Sequence, residues 1–297
     1  MPLSEKHYIT CDLCPHRCQL SEGETGKCGA RKSDGDNIFL EAYGRIGKIE
    51  PCAIESQNIF HFSPGVKVLS AGGYGCPLSC DYCNNDISQD DCKYFSASAI
   101  AHMAVARKCM GVFMTYNEPC IYYEFLIDLS EKCHDRGLFL GINTNCFVNK
   151  KYWEDLLGAV DIFNVDVKGN QQSYVDDGSV DNWSILDNID ALKDSGKHYE
   201  ISIPVKESII ENKFEYMNTF PHTTPIHLLN IDDNYAKIIF FDNLLRKYGF
   251  KHIYTPKRQN TICPECSNNL VNRSKEKLVF YPDITCITCQ NIIKQWM

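Results

Sequence analysis

Eleven of the seventeen cysteines stand in three tight groups, a pattern that ligates metal or does redox chemistry. The middle group, Cys76-x3-Cys80-x2-Cys83 in GGYGCPLSCDYCNN, offers three thiolates. Thiolates are soft ligands suited to iron–sulfur clusters and to zinc. Three of them can hold a cube of four irons and leave one iron with an open position, where chemistry can occur. As a zinc knuckle, the same loop would need a fourth ligand from elsewhere. Gly72, Gly73 and Gly75 precede the first cysteine, and glycine lets backbone approach a cofactor closely.

The outer groups carry four cysteines each. Cys11, Cys14, Cys18 and Cys28 lie in CDLCPHRCQLSEGETGKCGAR. Their spacing is ferredoxin-like in character without matching a standard ferredoxin run. It is open between a second iron–sulfur cluster, able to feed electrons to the first, and a zinc staple. A segment this small and glycine-rich has little core, so metal of either kind is expected. Cys263, Cys266, Cys286 and Cys289 form C-x2-C-x19-C-x2-C, a zinc-ribbon pattern whose ligands rubredoxin-type iron would also use. The six scattered cysteines (52, 92, 109, 120, 133 and 146) read as small buried hydrophobes.

Loops of this kind need rigid elements to carry them. From about residue 66 to 255, apolar runs alternate with amphipathic stretches. Strands are expected at VKVLSA (66–71), GVFMTY (111–116), LFLGINTN, AVDIFNVDVK (159–168), HYEISIPV and IHLLNI. Helices are expected at 96–109 with Ser96 near the N-cap, at 119–137 with Gly137 as the stop, and near KKYWEDLLG. Further helices are expected at 182–196, at 211–220 and over KIIFFDNLLRKYG. Six strand–helix units in a row imply parallel strands with helices outside, because each parallel connection needs a crossover. The Cys76 loop then sits at the C-terminal end of the first strand, where parallel barrels build their active sites. Three segments follow: a cysteine-rich stretch over 1–60, the α/β body over 61–258, and a cysteine-bracketed end over 259–297.

Composition narrows the function classes. The formal charge of −8 over 297 residues weighs against a general nucleic-acid-binding surface. No run of 18 apolar residues exists, so no membrane helix is expected. The start, MPLSEKHYITC, lacks the charged-then-apolar order of a signal peptide, which leads us to expect a cytoplasmic protein.

The middle group, with Tyr82 before its last cysteine, resembles the radical S-adenosylmethionine (SAM) signature. The resemblance implies a partial (β/α)6 TIM-like barrel with small cysteine-rich metal-binding segments at both ends. It also implies a 4Fe–4S cluster whose open iron binds the amino and carboxylate groups of SAM. Reductive cleavage would give a 5′-deoxyadenosyl radical that removes hydrogen from a protein or small-molecule substrate. TYNEP (115–119) resembles a variant of the superfamily's Gly-Gly-Glu motif, with Glu118 toward the SAM amino group. The same residues also read as a capped helix start with Pro119 at its first position. GINTNCF resembles a SAM-contacting segment of glycyl-radical activases, with Asn143 and Thr144 as candidates and Cys146 where glycine is usual. NVDVKG resembles their D-x-K motif, which places Asp166 and Lys168 on one side of a strand. His227 in PIHLLNI matches a histidine near SAM, although a lone strand histidine is more often structural.

The full motif order resembles the AmmeMemoRadiSam proteins, activase-like radical SAM enzymes associated with AMMECR1-like and Memo-like proteins. An electron donor such as flavodoxin or ferredoxin is implied as well. Two other functions fit parts of the pattern: a glycyl-radical-enzyme activase, and a non-enzymatic zinc or nucleic-acid module built on the terminal ribbon with Arg273, Lys275 and Lys277.

Overall fold

The computed structural model describes residues 6–168, 183–206, 216–273, 286, 288 and 289. The chain divides into two compact units: residues 1–52, 68–163 and 174–197 form one, and 53–67, 164–173 and 198–297 the other.

The first unit opens with short hairpins. β1 (Ile9–Thr10) pairs antiparallel with β2 (Gln19–Leu20), and β3 (Arg31–Ser33) with β4 (Ile38–Leu40). The second hairpin turns on Asp34, whose carboxylate accepts from the N–H groups of Asp36 and Asn37 at 3.0 and 2.7 Å. β5 (Arg45–Ile46) is followed by β6 (Lys48–Ala53) and β7 (Lys67–Gly72). β8 (Lys93–Tyr94) returns to pair with β5.

α1 (Ala97–Ala106) begins where Ser96 Oγ accepts from the Ala99 N–H at 3.2 Å, the expected N-cap. β9 (Gly111–Met114), α2 (Tyr123–His134), β10 (Phe139–Thr144) and α3 (Lys150–Ala159) follow. β7, β9 and β10 are parallel neighbours, with Val68, Gly111 and Phe139 in register. All of β9 and all but the first residue of β7 are buried. Continuous burial, rather than alternation, marks a sheet covered on both faces. β11 (Ile162–Asp166) and α4 (Trp183–Asp194) complete the series, and buried Trp153 of α3 donates its indole N–H to the Asn188 carbonyl of α4 at 2.8 Å.

In the second unit, β12 (His198–Val205), β13 (Ile226–Asn230) and β14 (Ile253–Tyr254) are parallel, with α5 (Tyr235–Lys247) between the last two. β15 (Thr261–Ile262) and β16 (Asn269–Val271) form a bulged antiparallel hairpin. Of the helix expected at 211–220, residues 211–215 lie outside the described residues and Tyr216–Thr219 form a single 3-10 turn. The strand–helix alternation and parallel pairing are those of the partial TIM-like α/β class. Five of the scattered cysteines (92, 109, 120, 133 and 146) are buried and Cys52 is half-buried. None of the seventeen forms a disulfide.

Candidate active site

β7 ends at Gly72, and the chain then runs without a helix or strand as far as Cys92. Backbone contact fixes the start of this loop. A Cβ on Gly72 would lie 1.8 Å from the Thr115 carbonyl oxygen, so only glycine fits beside TYNEP. Asn117 ties the two segments: its Oδ1 accepts from the Gly73 N–H at 3.2 Å and its Nδ2 donates to the Tyr74 carbonyl at 3.3 Å. Buried Tyr122 donates its hydroxyl to the same carbonyl at 3.1 Å. Tyr116 sits in the left-handed region (φ 74) and donates its hydroxyl to Glu50 at 2.9 Å. Sequence reasoning passed over Asn117, Tyr122 and Glu50. Asn117 stood inside the TYNEP motif, but its partners lie 43 and 44 residues away.

Past this anchor come the three cysteines. Cys76 and Cys80 are half-buried and Cys83 is exposed. The Cys83 N–H closes a turn on the Cys80 carbonyl at 3.1 Å, with half-buried Tyr82 within that turn. Three soft donors on one loop, open to solvent, fit a cluster that must admit a ligand at its remaining corner.

Glu118 is buried and caps the 3-10 turn Pro119–Tyr122. Its Oε1 accepts from the Cys120 N–H at 3.0 Å and the Thr144 hydroxyl at 2.7 Å, and its Oε2 from the Asn145 N–H at 2.9 Å. Burial raises its pKa, and these donors oppose the rise. The Cys120 side chain adds a fourth hydrogen bond, so the roughly four acceptor sites of the carboxylate are engaged. Asn143 donates its side-chain N–H to Thr115 Oγ1 at 2.7 Å. The strand ends of β9 and β10 are thus stitched together around Glu118. Cys146 adopts φ 59, the left-handed conformation that glycine takes readily. Asn188 of α4 holds that turn, donating to the carbonyls of Cys146 at 3.0 Å and Val148 at 2.7 Å.

The remaining sequence candidates belong to the second unit. Lys168 donates to Asp166 Oδ2. Asp166 Oδ1 is buried and has no hydrogen-bond partner among the described residues. An acceptor left over in this way fits a ligand that brings an ammonium or a hydroxyl. His227 on β13 is locked by a residue that sequence reasoning missed, Glu200 of β12, at 2.7 Å. Fully buried Glu200 also accepts from the N–H groups of Phe60 and His61 at 2.8 and 2.6 Å and meets His198 Nε2 at 3.1 Å. Burial opposes its ionisation, but His198, His227 and His61 together hold its pKa far below the ordinary carboxylate range.

The terminal cysteine groups differ in geometry. The four C-terminal sulfurs lie within 4.8 Å of one another, with Cys263–Cys289 at 3.6 Å and Cys266–Cys286 at 3.4 Å. Four thiolates about 2.3 Å from one ion stand about 3.8 Å apart, so this set fits a single metal ion. Lys275 and Lys277 of the rival nucleic-acid reading lie outside the described residues. At the other end, Cys11, Cys14 and Cys28 are buried and Cys18 is half-buried. Burial chiefly pushes the Cys14 thiol up to about 12 and raises Cys28 as well. Such thiols keep their protons until a bound cation displaces them. No helix among the described residues is long and apolar enough to cross a membrane.

Residues 71–211 match the sequence model of the radical SAM superfamily. The uncharacterized protein MJ0808 of Methanocaldococcus jannaschii is 27% identical over 293 residues, covering 89% of this chain and 87% of its own length. The 4-hydroxyphenylacetate decarboxylase activating enzyme of Clostridium scatologenes is 31% identical over 86 residues, 29% of this chain and 28% of that protein. The benzylsuccinate synthase activating enzyme of Thauera aromatica is 33% identical over 100 residues, 32% of this chain and 29% of that protein. With its three-cysteine loop at the end of a parallel strand, this chain carries a radical SAM domain over residues 71–211 and is similar, over about a third of its length, to two activating enzymes.

Proposed function

We propose that this enzyme uses SAM to remove a hydrogen atom from a protein substrate. The observation that carries the proposal is the Cys76–Cys80–Cys83 loop anchored on TYNEP through Gly72 and Asn117. When bound, a 4Fe–4S cluster and SAM supply the one-electron cleavage of a sulfonium C–S bond, leaving a hydrogen-abstracting 5′-deoxyadenosyl group.

The chain's residues bind and orient. Cys76, Cys80 and Cys83 would hold the cluster and leave it open to SAM. Glu118, held by Thr144 and the Asn145 N–H, would present its negative charge to the SAM ammonium. Asn143 sets the neighbouring strand end through Thr115. Asp166 Oδ1 would accept from an ammonium or hydroxyl of SAM and Lys168 would pair with its carboxylate, while Glu200 orients His227. Tyr82, in the turn between Cys80 and Cys83, would lie beside the cluster.

A protein substrate is supported by the likeness to two activating enzymes. That likeness equally supports the narrower reading, a glycyl-radical activase. The motif order supports a member of the AmmeMemoRadiSam type, with AMMECR1-like and Memo-like proteins as partners. Residues 61–258 would form the catalytic body, 1–60 an electron-feeding segment, and 259–297 a ribbon holding one structural zinc on Cys263, Cys266, Cys286 and Cys289.

The test is anaerobic loading with iron and sulfide, followed by SAM and dithionite. Wild-type protein should yield 5′-deoxyadenosine, and Cys76→Ala should yield none. Fully loaded wild-type protein that makes no 5′-deoxyadenosine would refute the proposal.

A further inference from the structure

The N-terminal cysteines are built into a site, and that site is joined to the catalytic loop. The β1–β2 hairpin brings Cys11 and Cys18 together, with the Cys11 N–H donating to the Cys18 carbonyl at 2.9 Å. Between them the CPHR turn closes where the Arg17 N–H reaches the Cys14 carbonyl at 3.2 Å. A second turn carries Cys28: the Gly26 N–H donates to the Arg31 carbonyl at 2.8 Å, and the Gly29 N–H to the Gly26 carbonyl at 2.9 Å. The Lys27 N–H points at Cys18 Sγ, 3.5 Å away. Backbone N–H groups directed at ligand sulfurs are a tuning device of iron–sulfur sites.

The chain contains its own comparison. Its C-terminal four sulfurs gather within 4.8 Å, as ligands of one ion do. Of the N-terminal four, Cys11, Cys14 and Cys28 are buried and Cys18 is half-buried, and no three of their sulfurs are drawn to that separation. A cluster of several irons needs its thiolates farther apart than a single ion does.

Two hydrogen bonds fasten this group to the catalytic loop. The Cys76 N–H donates to the Cys28 carbonyl at 3.0 Å. His16 Nε2 donates to the Pro77 carbonyl at 2.7 Å, since a carbonyl can only accept. Gly75 makes room for the contact: it adopts φ 90, and a Cβ there would lie 2.6 Å from the Cys28 carbonyl oxygen. One ligand of each group is therefore linked to the other by its own backbone and one hydrogen bond.

We propose that Cys11, Cys14, Cys18 and Cys28 hold a second four-iron cluster, which relays electrons across the Cys28–Cys76 contact to the cluster on Cys76, Cys80 and Cys83. The relay rests on the function proposed above. A one-electron donor of the flavodoxin or ferredoxin class is oxidised, the N-terminal cluster carries the electron, and the SAM sulfonium accepts it as its C–S bond breaks. No proton moves along this route.

The experiment compares wild-type protein with the triple variant Cys76→Ala, Cys80→Ala, Cys83→Ala, both purified and loaded anaerobically. Metal analysis should give about eight irons for wild type and about four, with matching sulfide, for the variant. Electron paramagnetic resonance of reduced wild type should show two magnetically interacting clusters, and the variant one isolated signal. A variant that carries zinc and no iron at its N-terminal cysteines overturns the second cluster. Two clusters that do not interact overturn the relay. Wild type that binds no iron at all would instead sink the radical SAM reading, so the two failures are distinct.

Discussion

Acid should weaken the second unit well above the pH at which carboxylates titrate. His252 is buried, and that burial depresses its pKa to about 4; Glu200 opposes the shift, while Lys251 and Arg246 add to it. An unfolded histidine titrates near 6.5. Below that pH, the unfolded chain takes up a proton that the folded protein refuses. Stability is therefore intact above about 6.5, falls by about 1.4 kcal/mol per pH unit beneath it, and levels off near the folded pKa. At pH 5, His252 alone costs about 2 kcal/mol. His61, with its ring centroid 4.6 Å from that of His252, is shifted the same way by burial and adds to the slope. Glu200 has a depressed pKa, so its stabilisation is whole above the unfolded carboxylate pKa and is lost as pH falls from there; it adds no slope between pH 7 and 5. Urea unfolding at pH 7, 6 and 5, followed by near-ultraviolet circular dichroism, reads the slope. His252→Gln should make it shallower. A midpoint that stays level from pH 7 to 5, or a variant with the wild-type slope, would refute the reasoning.

Three further outcomes are expected. Glu118→Gln sets an amide N–H against one of three buried donors, and urea unfolding should show a loss of about 1–3 kcal/mol. Gly72→Ala drives a methyl into the Thr115 carbonyl, parting the cysteine loop from TYNEP; iron content after anaerobic loading should fall well below wild type. A zinc-selective chelator should release one ion per chain from the C-terminal cysteines and leave the iron in place, as read by metal analysis before and after treatment.

The strands and helices were legible because their apolar runs are long and end at turn residues. β9 reads as a strand from GVFMTY, and Ser96 announces α1. Pro119 marks a helix start, yet the segment opens as a 3-10 turn because Glu118 spends its carboxylate on the Cys120 N–H and on the next strand. Glu118 could be read as a cap or as a ligand group, and its hydrogen bonds serve the first. Glu200 was invisible for a different reason. It is an acidic residue in the apolar strand HYEISIPV, where an unpaired carboxylate would be prohibitively costly. What makes it tolerable is a set of donors 139 and 140 residues upstream and 27 downstream, and no local pattern reveals them.

Cys146 shows how a departure from a motif can leave its geometry standing. Holding a side chain in the left-handed region costs about 1–2 kcal/mol compared with the usual backbone. The turn keeps that conformation because Asn188 grips the carbonyls on either side of Phe147, and because the Cys146 N–H donates to Thr144 Oγ1 at 3.0 Å. The same Thr144 hydroxyl donates to Glu118. The strained turn and the buried carboxylate therefore belong to one hydrogen-bonded unit, and glycine is not needed to form it. What the unit requires is Thr144 at the strand end and Asn188 on the helix behind it. The polar partners of this turn, more than the residue at its bend, decide whether Glu118 faces the end of the strand.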